Sequence, residues 1–205
     1  MPKGSPERTA ARKEEIISAC EKLYQTMSFK DITLKEIGNE TSFSRPTIYN
    51  YYQTKEEIFL ALFEREYIRW NEELMSILQE NEKLSKEHLA NKLASSLANR
   101  QQLLKLLSMN NYDMEENSRP ELLTSFKVAY GEAMKNVSRI ITKFCPEKSV
   151  QEIQNFVYIF FPFMFGIYPY TSVTDKQREA MKQANVDYVY QSIFEITNNC
   201  LQKLL

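Results

Sequence analysis

The strongest constraint on the fold lies in residues 33 to 58, where two short helices and the start of a third follow one another closely. Thr33 can cap the first helix, because Glu36 stands three residues later and completes a capping box. Ser44 can cap the second, since Pro46 falls in its first turn, where a proline costs no hydrogen bond. The residues between them suffice only for a sharp turn. The pattern predicts a helix-turn-helix.

The second helix of this pair has two faces of different chemistry. Ile48 and Tyr52, four residues apart, form an inward pair and leave the opposite face for a partner. That face carries a guanidinium suited to guanine, an amide suited to adenine, and hydroxyls suited to phosphates. On a helix of 3.6 residues per turn, Tyr49 and Tyr51 cannot share the inward face, which argues against their being ordinary core aromatics. We therefore expect this helix to bind DNA.

The third helix begins with a cation. Thr54 can cap it, so Lys55 lies at its start, where backbone N–H groups and the positive end of the helix dipole already favour a phosphate. Residues 1 to 55 hold nine Lys or Arg against seven Asp or Glu, although the whole chain has a net charge of -1. The basic excess is therefore local to the predicted DNA-binding part.

At these residues the chain resembles the TetR family of bacterial transcriptional repressors. The family's hallmark is a helix-turn-helix that ends in a Tyr-x-Tyr-Phe-like step and is followed by a Lys-Glu-Glu helix start, here residues 49–52 and 55–57. The resemblance implies base contacts from Arg45, Pro46 and Thr47. It implies phosphate contacts from Thr33, Tyr49, Tyr51 and Lys55. With the residues chosen on chemistry, the predicted DNA-binding set is Thr33, Ser44, Arg45, Pro46, Thr47, Tyr49, Asn50, Tyr51 and Lys55.

The chain departs from the family pattern at the turn. Gly38 and Thr41 stand where the family usually has alanine, and Ser42 replaces the usual turn glycine. A positive φ at Ser42 would cost about 1 kcal/mol. We therefore expect a locally less stable turn.

The remaining chain indicates an all-α protein. It has 4 glycines and 7 prolines, and no hairpin dipeptide flanked by alternating residues. We expect a three-helix DNA-binding head over residues 1–54 and a helical effector-binding and dimerisation domain over 55–205. Periodicity predicts helices over about 7–27, 55–79, 85–108, 118–144 and 175–204, with an irregular turn over 110–117.

An uncharged run over residues 156–170 contains Pro162, Gly166 and Pro169. It is shorter than the roughly 20 apolar residues of a membrane span, so we expect a helix buried between the body and a second subunit. The stripe at the end of the chain consists of Val189, Ile193, Ile196, Cys200 and Leu204. By resemblance, the helix that contains the uncharged run and the helix at the end of the chain form the interface of a homodimer. The two DNA-reading helices of the dimer would then lie about 34 Å apart and bind a palindromic operator.

Enzyme chemistry has little material here. His88 is the only histidine, so neither a catalytic triad nor a histidine metal site is predicted, and no cofactor is expected. Three distant cysteines without C-x-x-C spacing, and a start without an apolar secretory region, predict a cytoplasmic protein with reduced thiols and no membrane partner.

The family mechanism implies that a small effector enters the C-terminal domain, moves the helix that begins at Lys55, and releases the operator. The abundance of aromatic residues predicts a largely apolar effector, although each such residue also suits a plain core. The candidate lining residues are Phe63, Tyr67, Trp70, Met109, Phe126, Tyr130, Tyr158 and Phe161. The alternative function is a helical assembly protein that uses the 156–170 aromatic face for a protein or membrane partner.

Overall fold

The computed structural model describes residues 5–109 and 111–205. This part of the chain is 75% helical and has no strand, which confirms the all-α prediction. The helices are α1 (Pro6–Thr26), α2 (Leu34–Asn39), α3 (Arg45–Ile48), α4 (Lys55–Glu80), α5 (Lys86–Ala98), α6 (Gln101–Leu107), α7 (Asn111–Glu116), α8 (Pro120–Phe144), α9 (Val150–Thr171), α10 (Asp175–Gln183) and α11 (Ile193–Leu204).

The described residues form two compact units. The first takes those of Met1–Glu66 and Asn110–Ala129, and the second those of Tyr67–Met109 and Tyr130–Leu205. Both α4 and α8 contribute residues to each unit. The boundary between residues 54 and 55 that the sequence suggests stays a prediction.

In the first unit, α1 packs on α2 and α2 packs on α3. The apolar stripe of α1 is buried through Ile16, Cys20 and Tyr24, as its periodicity predicts. The ring of Tyr24 meets the edge of Phe59 from α4 at 5.1 Å between ring centroids. The helix-turn-helix therefore packs on one aromatic and aliphatic core. We call α3, its second helix, the reading helix.

In the second unit, α11 packs mainly on α5 and also on α9, while α6 packs on α9. The stripe of α4 continues here through Tyr67, Trp70 and Leu74, each at most 1% exposed. The helix predicted over 85–108 is wrong in its continuity, because it breaks into α5 and α6 at Asn99 and Arg100.

Two other predicted segments differ from the structure. The turn expected over 110–117, whose first residue lies outside the described part of the chain, contains the short helix α7. Met114 of this helix is buried, with 1% exposure. The helix expected over 175–204 is divided into α10 and α11 by residue Asn185, whose φ is 53°. Val189 consequently lies outside a helix and is 79% exposed, so it does not belong to the α11 stripe.

Among the described residues, no single helix is long and apolar enough to cross a membrane. One pair, α9 with α10, satisfies the length and composition requirements when taken together, with a bend of 84° at the break between them.

Candidate nucleic-acid interface

A carboxylate from α1 holds the turn that precedes the reading helix. The carboxylate of Glu15 accepts hydrogen bonds from the backbone N–H of Ser42 and, at 3.1 Å, from its hydroxyl. Asn185 is the one described non-glycine residue with a positive φ. The expected strain at Ser42 is therefore wrong, and two charge-assisted hydrogen bonds stabilise the turn in place of a glycine.

Of the predicted base-contacting residues, Arg45 and Pro46 are exposed and Thr47 is half-buried. Ser44 is the N-cap of α3, with its hydroxyl 3.3 Å from that of Thr47, although it makes no side-chain cap bond. Arg45 is exposed, and its Nη2 donates to the hydroxyl of Tyr49 at 3.1 Å. Pro46 and Asn50 are also exposed. Because Tyr49 is 48% exposed, Arg45 and Tyr49 present a guanidinium and a phenol side by side to solvent.

Beneath this face, Ile48 and Tyr52 are buried to 0% and 2% exposure, as predicted. The helical-face argument fails for Tyr51, which is only 6% exposed. Its failure has a local cause: α3 ends at Ile48, and the backbone N–H groups of Tyr51 and Tyr52 both bond the Ile48 carbonyl in a closing turn. The Tyr51 hydroxyl accepts from Nη1 of Arg12 at 3.4 Å.

Two of the predicted phosphate-contacting residues have structural partners of their own. Thr33 caps α2, accepting from the N–H groups of Lys35 and Glu36 at 3.2 Å and 3.4 Å. The ammonium of Lys55 donates to the carbonyls of Phe29 and Ile32 at 2.8 Å and 3.2 Å. Lys55 thus ties the start of α4 to the loop before α2, which the sequence did not indicate.

A buried carboxylate lies next to this face. Glu57 is 1% exposed and accepts from the Gln53 N–H at 2.7 Å and from Nε and Nη2 of Arg119 at 2.7 Å and 3.0 Å. Nη2 of Arg119 also donates to the Tyr51 carbonyl at 2.8 Å. We call Gln53, Glu57, Arg119 and the Tyr51 carbonyl the Glu57 network. Burial by itself raises the pKa of Glu57, but the hydrogen bonds from Arg119 and Gln53 together hold it below 4.5.

Sequence reasoning missed this network, although one signal pointed to it. Arg119 directly precedes Pro120, at the start of α8, where the helix dipole disfavours a cation. A residue that contradicts its local environment indicates a partner elsewhere in the fold. That partner is 62 residues away along the chain.

The predicted effector-contacting residues are brought together only in part. Within the second unit, Tyr67, Trp70, Tyr130 and Phe161 form one cluster, whose neighbouring ring centroids lie 5.5 to 6.3 Å apart. We call these four residues the aromatic cluster. In the first unit, Phe63 and Phe126 contact each other at 4.8 Å between centroids.

The two remaining candidates lie elsewhere. Met109 is half-buried just after α6, and Tyr158 is 62% exposed on α9. Tyr158 borders an open groove between α8 and α9 that also involves Lys135 and Arg139. Both cations are paired with Glu132, at 3.6 Å and 2.9 Å.

The aromatic cluster carries no charge, and its indole N–H is hydrogen-bonded. Nε1 of Trp70 donates to the Ser96 hydroxyl at 3.1 Å, and Ser96 donates to the Leu93 carbonyl at 2.8 Å. Burial raises the pKa of Tyr67 well above 10, which makes ionisation of its phenol still less favourable than in water. The cluster therefore offers an uncharged, aromatic interior.

A separate apolar groove of about 450 Å³ runs along α10 and the segment after it. Its lining includes Tyr170, Met181 and Tyr188, and none of the residues predicted to contact an effector. No residue of α10 is buried within the chain.

Comparison with known proteins agrees with the two-part organisation. Residues 16–62 match the family described as bacterial regulatory proteins of the tetR family. Residues 64–192, more than half of the chain, match the tetracyclin repressor-like C-terminal domain. None of the curated proteins compared with the sequence matches it.

Solved structures share the fold at low sequence identity. FadR from Bacillus subtilis, in complex with stearoyl-CoA, is 18% identical, with a TM-score of 0.61 over 93% of this chain and 96% of that one. A regulator of the tetR family from Mesorhizobium loti is 17% identical, with a TM-score of 0.64 over 97% and 96%. FadR from Thermus thermophilus, in complex with lauroyl-CoA, is 20% identical, with a TM-score of 0.52 over 87% and 96%.

The helix-turn-helix, the all-helical body and both family matches agree with one another. The chain belongs to the TetR family of DNA-binding transcriptional regulators.

Proposed function

We propose that this protein is a homodimeric repressor that binds a palindromic operator in the cytoplasm and releases it when a small, largely apolar effector binds. The observation that carries the proposal is the exposed face of α3 and the turn after it. There Arg45, Tyr49 and Asn50 project to solvent from a helix fixed by the buried Ile48. A guanidinium and an amide at such positions can read base edges in the major groove.

The exposed surface of α9 supports the dimer. Tyr158, Ile159, Phe165 and Tyr170 are 62%, 51%, 40% and 57% exposed on a stretch without charges. Contiguous apolar surface of this kind is typical of a protein interface. We propose that a second copy of the chain covers this surface. The same face is the one that an assembly protein, the alternative function, would use, so a dimer accounts for its exposure without that alternative.

The end of the chain extends this proposed interface. In α11 the residues buried within the chain are Thr197 and Leu201, whereas Ile193, Ile196 and Cys200 stay partly exposed. Since α11 packs on α9, we propose that its exposed apolar stripe joins the α9 face in a four-helix contact between subunits.

We propose the aromatic cluster as the place where an effector enters the body. Its rings are neutral and apolar, and a ligand can separate packed aromatic side chains if its own contacts replace theirs. FadR structures with this fold hold stearoyl-CoA and lauroyl-CoA. Long-chain acyl-CoA thioesters are therefore the first ligand class to test. A difference in affinity of about 5- to 150-fold between the two conformations would suffice for release.

Selection of bound fragments from a random DNA pool tests the proposal. We expect enrichment of an inverted repeat whose half-sites are centred about one helical turn apart, in keeping with a two-fold dimer. Affinity for the enriched site should fall steeply as salt rises. A pool without enrichment, or one enriched in a single unrepeated site, would contradict the proposal.

Sedimentation of a Gly166→Arg variant tests the interface. A Cβ atom added at Gly166 meets nothing within 4 Å beyond its chain neighbours and the nearby backbone of α9, so the side chain starts in open space. The variant should therefore fold, and it should be a monomer if a second copy covers α9. Gly131→Arg is the matched control, because Gly131 has equally open surroundings and lies on α8. A Gly166→Arg variant that stays dimeric would exclude this face.

A further inference from the structure

One residue of the α7–α8 connection is bonded to the backbone at the end of the reading element. Nη2 of Arg119 donates to the Tyr51 carbonyl at 2.8 Å, three residues beyond the end of α3. The same guanidinium holds both carboxylate oxygens of Glu57. A planar guanidinium that bonds three acceptors at once fixes their relative positions more closely than an ammonium can.

A second contact joins the same two segments. The Thr54 hydroxyl donates to the Asn117 carbonyl at 3.1 Å and accepts from the Glu57 N–H at 3.1 Å. The start of α4 is thereby bonded to the α7–α8 connection through Thr54 as well as through Glu57. All of these residues belong to the first compact unit.

The burial of Glu57 makes these bonds interdependent. A buried carboxylate is costly unless it is paired and hydrogen-bonded, and removal of one partner leaves the charge without compensation. Glu57 also accepts from the backbone N–H of Arg119 at 3.2 Å. A displacement of Arg119 would therefore weaken several bonds together, because hydrogen bonds depend steeply on distance and angle.

We propose that Arg119 is a positioning residue for the reading helix, and that it transmits movement of α8 directly to the α3–α4 connection through Tyr51 and Glu57. The inference rests on the proposed function and deepens it, since it names the contact through which a movement of α8 would reach the reading helix. Helix α8 begins directly after Arg119 and also supplies Tyr130 to the aromatic cluster. A shift of α8 that separates Arg119 from Tyr51 would free the end of the reading helix.

An Arg119→Lys variant tests the inference while it keeps a positive charge near Glu57. An ammonium cannot bond both Glu57 oxygens and the Tyr51 carbonyl in the same geometry. We expect native helix content, but amide hydrogen exchange over residues 49–53 about tenfold faster. We also expect about tenfold weaker binding to the enriched operator, measured by fluorescence anisotropy.

Arg65→Lys serves as the matched control. Arg65 lies in the same unit and bonds three residues of α1, namely Glu14, Ser18 at 2.9 Å and Glu21 at 2.8 Å, and none of residues 49–53. Its substitution should leave exchange over 49–53 within about twofold of the wild type. Equal effects of the two Arg→Lys variants would reduce Arg119 to a general stabilising role and overturn the inference.

A second variant perturbs the same bonds from the carboxylate side. Glu57→Gln keeps the shape of the side chain and should accelerate exchange over 49–53 as Arg119→Lys does. Glu121→Gln removes the exposed second partner of Arg119, which lies 3.5 Å away, and should leave exchange unchanged. Unchanged exchange in both Arg119→Lys and Glu57→Gln would overturn the inference even if the wild type binds its operator. If the wild type selects no operator, the proposed function fails, while the exchange measurement still decides the role of Arg119.

Discussion

The two compact units are stabilised by different chemistry. In the first, charged groups join distant segments at defined angles: Arg119 bonds Glu57, Lys55 bonds two loop carbonyls, and Arg65 bonds acidic residues of α1. In the second, the centre is the aromatic cluster, whose rings meet at 5.5 to 6.3 Å with one indole hydrogen bond to Ser96.

This difference suits the two tasks that the units perform in the proposed function. Base reading needs donors and acceptors held to within about 0.5 Å, and directional hydrogen bonds provide that. A ligand site in the body must instead change its packing when an effector enters. Dispersion and apolar burial depend weakly on direction, so a new packing arrangement can have a similar free energy.

The largest expected effect concerns the body. Trp70→Ala should lower the free energy of unfolding by about 3–5 kcal/mol, because it leaves a cavity and removes the partner of the Ser96 hydroxyl. Chemical denaturation followed by circular dichroism measures the change. If the two units are stabilised independently, amide hydrogen exchange over residues 49–53 should stay slow in the folded fraction. Acceleration there would show that the head depends on the aromatic cluster.

The next effect concerns the buried carboxylate. Glu57→Gln should lower the free energy of unfolding at neutral pH by about 2–3 kcal/mol, since it removes the buried charge that accepts the hydrogen bonds of Arg119 and Gln53. The folded-state pKa of Glu57 lies below 4.5, so the carboxylate stabilises the fold above that pH and loses this contribution as the pH falls further.

Unfolding measured as a function of pH isolates this contribution. The difference between wild type and Glu57→Gln should be constant near neutrality and shrink below about pH 4.5. A difference that grows on acidification would mean that the pKa of Glu57 is raised, contrary to its bonding with Arg119.

A smaller effect is expected at Lys55. Lys55→Ala should lower the free energy of unfolding by about 2 kcal/mol, because two hydrogen bonds from a charged group to Phe29 and Ile32 are lost. The sequence alone predicts instead that this substitution weakens binding to all DNA about equally. Denaturation and binding to operator and shuffled DNA separate the two effects, and a variant with wild-type stability would contradict the structural role.

The smallest expected effect compares two glycines in helices. Gly131→Ala should raise the free energy of unfolding by about 1 kcal/mol, since alanine favours a helix and the added methyl meets nothing within 4 Å beyond its chain neighbours and the nearby backbone of α8. At Gly38 the methyl would lie 3.3 Å from Cβ of Arg45, so Gly38→Ala should gain less. Thermal unfolding of both variants measures the difference. An equal gain at the two positions would mean that α3 shifts to accommodate the methyl group at little cost in free energy.

Local sequence signals predict the elements that have caps and long apolar stripes. Thr33 caps α2, Ser44 precedes α3, and α4 and α8 lie close to the expected bounds. Short helices are stabilised mainly by packing with other elements, so α7 and the separation of α10 from α11 could not be derived from periodicity.

In the candidate site, too, only the side-chain positions that depend on local sequence could be predicted. The chemistry of the face around Arg45 follows from its position in a helix-turn-helix. The burial of Tyr51 and the bonds of Lys55 depend on where α3 ends and on loops 23 to 26 residues away. The pair of Glu57 and Arg119 spans 62 residues and appears only in the folded chain.

Fluorescence anisotropy of wild type and Arg45→Ala with the enriched operator and with a shuffled control tests most directly whether α3 reads DNA. We expect Arg45→Ala to lose about 1–3 kcal/mol of discrimination between the two DNAs, with little change in affinity for the shuffled one. Unchanged discrimination would show that the exposed face of α3 does not read the operator.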